Sequence, residues 1–194
     1  MNPWYGYSLV IVGIIGTIVI RAPHGERSRK IKVVEDRKAK SDVALIIVSS
    51  LFMILLPVLS MSSPWLKFAD YALSPGAFTV GAVALANYFW LFYRSHADLG
   101  TNWSISLEIR ENHRLVNSGV YKTIRHPMYT SLFLYCIAQA LLIPNWIAGP
   151  SCLVSFTLLI AMRVGPEERM MVDKFGDQYV SYAENTKRLI PFVY

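Results

Sequence analysis

The sequence predicts an all-α integral membrane protein of about five transmembrane helices, closing on a C-terminal helical hairpin with a pocket at its cytosolic end. Three observations carry that prediction. Hydrophobic residues make up 54% of the 194 residues and charged residues only 16%, where soluble domains average nearer a quarter charged. The apolar residues gather in long uncharged runs, the pattern of membrane spans. Nearly all the basic residues fall in three segments between those runs.

Residues 4–20 form the first uncharged run, 43–62 the second and 71–93 the third. Each is near the ~20 residues that cross a bilayer as a helix. The N-terminus carries no positive n-region and no small-residue cleavage site, so its apolar run reads as a retained span. Residues 130–143 and 146–162 are two shorter runs separated by Pro144-Asn145. They predict a tight helical hairpin passing through or deep into the membrane. Trp4, Tyr5, Trp65, Trp90 and Trp146 stand at run ends, as interface anchors do.

Orientation follows from lysine and arginine. Arg21, Arg27, Arg29, Lys30, Lys32, Arg37, Lys38 and Lys40 occupy the loop 21–42. Arg94, Arg110, Arg114, Lys122 and Arg125 lie in 94–129, and Arg163, Arg169, Lys174, Lys187 and Arg188 in the tail. Lys67 alone falls on the other side. The positive-inside rule places the N-terminus outside and the C-terminus in the cytosol. Five crossings satisfy this parity, and so do three crossings with a re-entrant final hairpin.

The chain divides into an N-terminal three-span region, 1–93, and a second region, 94–194, with a cytosolic loop, the hairpin and an amphipathic helix over Glu167–Glu184. In that helix Met170, Met171, Phe175, Tyr179 and Tyr182 recur at helical spacing. The polar segments 94–129 and 163–194 are each too small for a core of their own. They flank the hairpin and are expected to pack together.

Some classes are excluded. The net charge of +6 is explained by membrane orientation, not by nucleic acid. Cys136 and Cys152 lie within apolar runs, away from histidine clusters. They read as small buried hydrophobes, not as a disulfide framework or a metal site. A GxGxxG turn after a strand, a P-loop and an HExxH pair are missing.

Two clusters carry the chemistry. In Ser118-Gly119-Val120-Tyr121-Lys122-Thr123-Ile124-Arg125-His126-Pro127-Met128-Tyr129, Pro127 suits the first turn of the fourth apolar helix. A helix start there favours a carboxylate or phosphate beside His126, and Arg125 adds a fixed positive charge. In Arg163-Val164-Gly165-Pro166-Glu167-Glu168-Arg169, Arg163 and Glu167 share a face if the helix continues, against which Pro166 argues. A tight hairpin brings Arg125-His126 and Arg163-Glu167 together at the membrane surface, where such groups mark a ligand site. Asn87 reads as a helix–helix hydrogen bond, Asn112 to Val116 as a solvated loop, and Tyr179 and Tyr182 as packing residues.

At these residues the sequence resembles the isoprenylcysteine carboxyl methyltransferase family. The matching pieces are His113-Arg114-Leu115-Val116, Ser118-Gly119-Val120-Tyr121, Arg125-His126-Pro127-Met128-Tyr129, Arg163 with Glu167-Glu168, Phe175-Gly176-Asp177-Gln178-Tyr179 with Tyr182, and Arg188-Leu189-Ile190-Pro191. The short form looks like the family's prokaryotic branch, seated in the plasma membrane. The resemblance implies a methyltransferase that takes S-adenosylmethionine in a cytosolic pocket and methylates the carboxylate of a lipophilic, isoprenylcysteine-like substrate arriving from the lipid. It implies His113, Arg114, Leu115, Val116, Tyr121, His126, Pro127, Met128, Tyr129 and Glu167 as cofactor contacts. Arg163 would bind the substrate carboxylate, with Arg125 beside it, and Glu108 is a further candidate in the loop 94–112. No metal is implied.

Three other readings compete. A phospholipid amine methyltransferase would place Arg163 badly for a cationic acceptor. An NADPH-dependent membrane sterol-type reductase resembles the hairpin, but continues with Gly-Asp where Thr130-Ser131 follows Tyr129 here. A non-enzymatic membrane subunit with a basic lipid-facing surface leaves the convergence of charges unexplained.

Overall fold

The computed structural model describes residues 1–36, 40–102, 108–110 and 114–190. Among the described residues six α-helices make the fold: α1 (Pro3–Arg29), α2 (Lys40–Ser62), α3 (Pro75–Leu99), α4 (Pro127–Leu142), α5 (Ala148–Phe175) and α6 (Asp177–Asn185). Two short strands, β1 (Val33–Asp36) and β2 (Glu108–Arg110), pair antiparallel. They lie outside the spans, and the protein remains an all-α integral membrane protein.

Local sequence sets the helix starts. Pro3, Pro75 and Pro127 stand in first turns, where a missing N–H forfeits nothing. Asn2 accepts from the Trp4 N–H at 2.9 Å and Ser74 from the Ala77 N–H at 3.1 Å, capping α1 and α3. α1, α2, α3 and α5 are long and apolar enough to cross a membrane. α4, with 16 residues, is about 24 Å long.

Several boundaries differ from the sequence reading. α3 runs on to Leu99, so the segment read as a loop from residue 94 begins as helix. α5 passes through Pro166 unbroken. Pro166 removes one backbone hydrogen bond, but Arg163, Val164 and Met170 are buried around it, and packing outweighs the ~3 kcal/mol proline penalty. The single amphipathic helix expected over 167–184 is instead the end of α5 plus α6, parted at Gly176 with φ 55°, a conformation that favours glycine. Asn87 does not bridge helices: it is exposed and its Nδ2 donates to the Val83 carbonyl of its own helix.

α4 packs against α1, α3 and α5, and α2 packs against α5. The core between them holds Val10, Tyr88, Phe92, Tyr135, Cys136, Leu142, Cys152 and Phe156. Both cysteines are buried, as small hydrophobes would be.

The α4–α5 turn is fixed to the α2–α3 connection. Fully buried Asn145 donates from Nδ2 to the Leu66 carbonyl at 2.7 Å and to Asp70 Oδ1 at 2.6 Å. Its Oδ1 accepts from the Ile147 and Ala148 N–H groups. The Trp146 N–H donates to Ala69 and the Tyr71 N–H to Pro144. The hairpin therefore runs the full height of the bundle, and its open end lies with the C-termini of α1 and α3.

Candidate active site

The site is assembled where the start of α4 meets the end of α5 and the tail. The Arg125 N–H donates to the Lys187 carbonyl at 2.7 Å, the His126 N–H to Arg188 at 3.0 Å, and the Lys187 N–H returns to Thr123 at 3.1 Å. The Thr130 hydroxyl adds a bond to the Leu189 carbonyl at 2.6 Å. The tail is thus laid along residues 123–130 like a strand, which seats α6 over the hairpin.

Glu168 ties this seat together. Its Oε1 accepts from Arg125 Nε at 2.9 Å and lies 3.4 Å from His126 Nε2, and its Oε2 accepts from Arg188 Nε at 3.0 Å. Arg125 also donates from Nη1 to the carbonyls of Ala183 and Thr186. Arg125 therefore spans from α4 to α5 and α6, with its Nε and Nη1 donors committed to the protein.

The residue just before Glu168 on α5 is Glu167. Its Oε2 accepts from the Tyr129 hydroxyl at 2.5 Å and lies 4.0 Å from Arg163 Nε, with Oε1 3.8 Å from His126 Nδ1. The rings of His126 and Tyr129 stack at 5.5 Å with an interplanar angle of 15°. The unbroken helix through Pro166 is what puts Arg163 and Glu167 on one face. Arg163 and the His126 ring are buried, so the Arg163 charge acts in a low-dielectric setting.

Tyrosines close the roof. Tyr121 donates to the Ser95 carbonyl at 3.2 Å, and its own carbonyl accepts from Tyr182 at 2.6 Å. Burial pushes the Tyr121 phenol well above its ordinary value, with the Glu167 charge adding to it. Burial likewise raises Tyr182 to about 12 despite the opposing pull of Arg125 and a hydrogen bond from Thr186. Both remain neutral donors at physiological pH.

These side chains line a cavity of about 220 Å³. At one end it is bordered by Arg114, Leu115, Val116, Tyr121, Arg125, His126, Pro127, Met128, Tyr129, Arg163 and Glu167. Every predicted site residue within the described residues is therefore on one cavity; His113 and the Glu108 side chain lie outside them. The Arg114 N–H is held by Asn102 Oδ1 at 3.2 Å, and Leu99 and Asn102 complete that edge. The other end descends between helices, past Leu132, Cys136, Cys152, Phe156 and Leu159.

Sequence reasoning missed much of the wall. Thr17 and Arg21 of α1 and Ile46, Ser49, Ser50 and Met53 of α2 line the cavity, and so do Met170, Met171, Tyr179 and Tyr182. The two tyrosines, read only as packing residues, belong to the roof. The signal for Met170 and Met171 was their shared face with Glu167; the tyrosines stand on α6, beyond the break at Gly176, and α1 and α2 gave no signal. The whole is an amphipathic cavity, with fixed charges at one end and an apolar shaft at the other.

Comparison with known proteins agrees. Residues 79–173 match the isoprenylcysteine carboxyl methyltransferase (ICMT) family. Protein-S-isoprenylcysteine O-methyltransferase B of Arabidopsis thaliana is 33% identical over 89 residues, covering 46% of this chain and 45% of that protein. The Xenopus laevis enzyme is 33% identical over 100 residues, covering 48% and 33%, and the human one 30% over 96 residues, covering 48% and 34%. The chain thus spans less than half the length of these relatives. The solved structure of the eukaryotic intramembrane Ras methyltransferase ICMT superposes with a TM-score of 0.53 at 23% identity, covering 78% of this chain and 50% of that one; it speaks for the shared fold. Across α3 to α5 this chain is thus similar to the isoprenylcysteine carboxyl methyltransferase family.

Proposed function

We propose that this protein is an S-adenosylmethionine-dependent methyltransferase that esterifies the carboxylate of a lipophilic, isoprenylcysteine-like acceptor. The carrying observation is the amphipathic cavity, with Arg163, Glu167 and Tyr129 at its polar end and an apolar shaft below. From Arg163 to Cys152 the shaft follows α5 for 11 residues, about 16 Å, room for a chain of roughly a dozen carbons.

The residues at the polar end suit the donor. Glu167 offers a carboxylate to hydroxyl or amino groups, Leu99, Leu115 and Val116 offer apolar surface to a purine, and the start of α4 favours a carboxylate. Arg114, Tyr121, His126, Pro127 and Met128 complete that lining. When bound, S-adenosylmethionine supplies a methyl group whose carbon–sulfur bond breaks toward sulfur as a carboxylate oxygen bonds to carbon, with no proton transferred. A carboxylate is already ionised at pH 7, so no general base is required. Arg163 orients the carboxylate, the buried walls remove water from it, and alignment supplies the rate.

Arg125, expected beside Arg163 as a catalytic residue, acts instead as a positioning residue, because its donors hold α4 to α5 and α6. The acceptor reaches the shaft from the lipid. The site faces the cytosol, since the basic residues gather at that end of the bundle. The region 94–194 supplies the donor pocket and 1–93 part of the acceptor shaft. An amine acceptor is disfavoured by Arg163, which repels a cation.

The test is Arg163→Ala and Glu167→Ala in detergent-purified protein, with N-acetyl-S-farnesylcysteine as methyl acceptor. Arg163→Ala should abolish transfer and keep S-adenosylhomocysteine affinity. Glu167→Ala should weaken that affinity. Loss of donor affinity in Arg163→Ala with transfer retained would reverse the two roles.

A further inference from the structure

We propose that Arg21, on α1, is a second anion-binding residue of this site and, with Arg163, grips the acceptor carboxylate. The inference rests on the methyltransferase reading above and adds a specificity residue to it. Arg21 lines the same cavity as Arg163, Glu167 and Tyr129. It lies near enough to Arg163 and to Tyr129 to interact electrostatically with both. Nothing in the sequence set it apart: it is the first of eight basic residues after the first apolar run, and it falls outside the matched residues 79–173.

Arg21 is held on this wall. Its guanidinium sits 5.7 Å from the centroid of the Phe92 ring, a cation–π distance. Phe92 packs on Tyr88 at 5.1 Å, and Tyr88 is hydrogen-bonded at 2.5 Å to Thr17, which also lines the cavity. Thr17 and Arg21 are four residues apart and so share a helix face. That face is fixed by the aromatic core of α3, so Arg21 is a built feature of the cavity and not a solvated end of a span.

The chemistry follows from charge. Arg21 and Arg163 are like charges on one poorly solvated cavity, and they repel each other there. An anion seated between them converts that repulsion into two attractions. A phospholipid headgroup amine would be rejected by both. A carboxylate on a lipid chain in this cavity meets one guanidinium from α1 and one from α5. Two guanidiniums can fix both the position and the plane of a carboxylate, leaving one oxygen lone pair for the methyl group. Esterification removes the charge, so the product loses this grip and is released.

The experiment compares wild type, Arg21→Gln and Arg21→Lys, purified in detergent. For each, KM for N-acetyl-S-farnesylcysteine, binding of its methyl ester and binding of S-adenosylhomocysteine are measured. Arg21→Gln should raise KM for the acid about tenfold or more, the effect of weakening one charge-assisted hydrogen bond. It should leave ester and S-adenosylhomocysteine affinities within about twofold. Arg21→Lys should recover part of the loss, because the charge returns without the planar fork. An unchanged KM overturns the proposal. So does parallel weakening of acid, ester and S-adenosylhomocysteine, which would mean that Arg21 only supports the fold. A wild-type protein that binds the donor product but methylates no carboxylate overturns the acceptor reading itself, and the Arg21 assignment with it.

Discussion

Replacing Glu168 with alanine should unseat the site without touching any ligand. The side chain is 13% exposed and its partner Arg125 9% exposed, so this pair is largely removed from water. The Arg125 Nε bond at 2.9 Å is charge-assisted and contributes about 1.5–3 kcal/mol. Arg188 is 41% exposed, and screening leaves its bond about 0–1 kcal/mol. His126 at 3.4 Å adds little. The loss is then about 2–4 kcal/mol, because truncation also strands the Arg125 charge. At about 2–4 °C per kcal/mol for a chain of this size, thermal unfolding in detergent should occur about 4–16 °C lower. The deficit should persist from low to high salt, since buried pairs are weakly screened. Glu168→Gln keeps an acceptor and should lose less, and Arg188→Ala should lose about 1 kcal/mol or less. S-adenosylhomocysteine affinity should fall in Glu168→Ala, since Arg125 and His126 lose their seat. A Glu168→Ala protein that unfolds within about 1 °C of wild type would refute the reasoning.

Asn145→Ala should cost about 3 kcal/mol or more, because it leaves the Leu66 carbonyl, Asp70 and two N–H groups without their hydrogen bonds; Asn145→Asp should be no better, placing a carboxylate against Asp70, and detergent unfolding curves check both. Stability should also turn alkali-sensitive through Tyr182. Its folded value, raised to about 12 by burial, exceeds the ordinary value of about 10, so the phenol contributes nothing pH-dependent below pH 10. Between pH 10 and 12 the unfolded chain loses the proton first and stability falls. Tyr182→Phe should flatten part of that decline in pH-resolved unfolding, and an identical decline in the variant would contradict the assignment.

Much of this arrangement was legible in the sequence where the cause is local. Uncharged runs located the spans, Pro144-Asn145 located the turn, and Pro127 marked the start of α4. The hairpin then required Arg125-His126 and Arg163-Glu167 to meet, and they do. Pro166 misled because a local penalty was outweighed by burial of Arg163, Val164 and Met170. Glu168 was visible as a neighbour of Glu167, but its grip on Arg125 and Arg188 depends on a tail folding back over residues 123–130. Arg21 and the α2 wall depend on which helices are neighbours, which apolar runs alone do not encode. The pairing of β1 with β2 joins segments too short for an alternating pattern to declare itself.

Calorimetric titration of S-adenosylhomocysteine and of NADPH into the detergent-purified protein tests the donor assignment most directly. Binding of S-adenosylhomocysteine, weakened by Glu167→Ala, with no heat from NADPH is the predicted result. Binding of NADPH in place of S-adenosylhomocysteine would contradict the methyltransferase reading and turn the same cavity into that of a reductase.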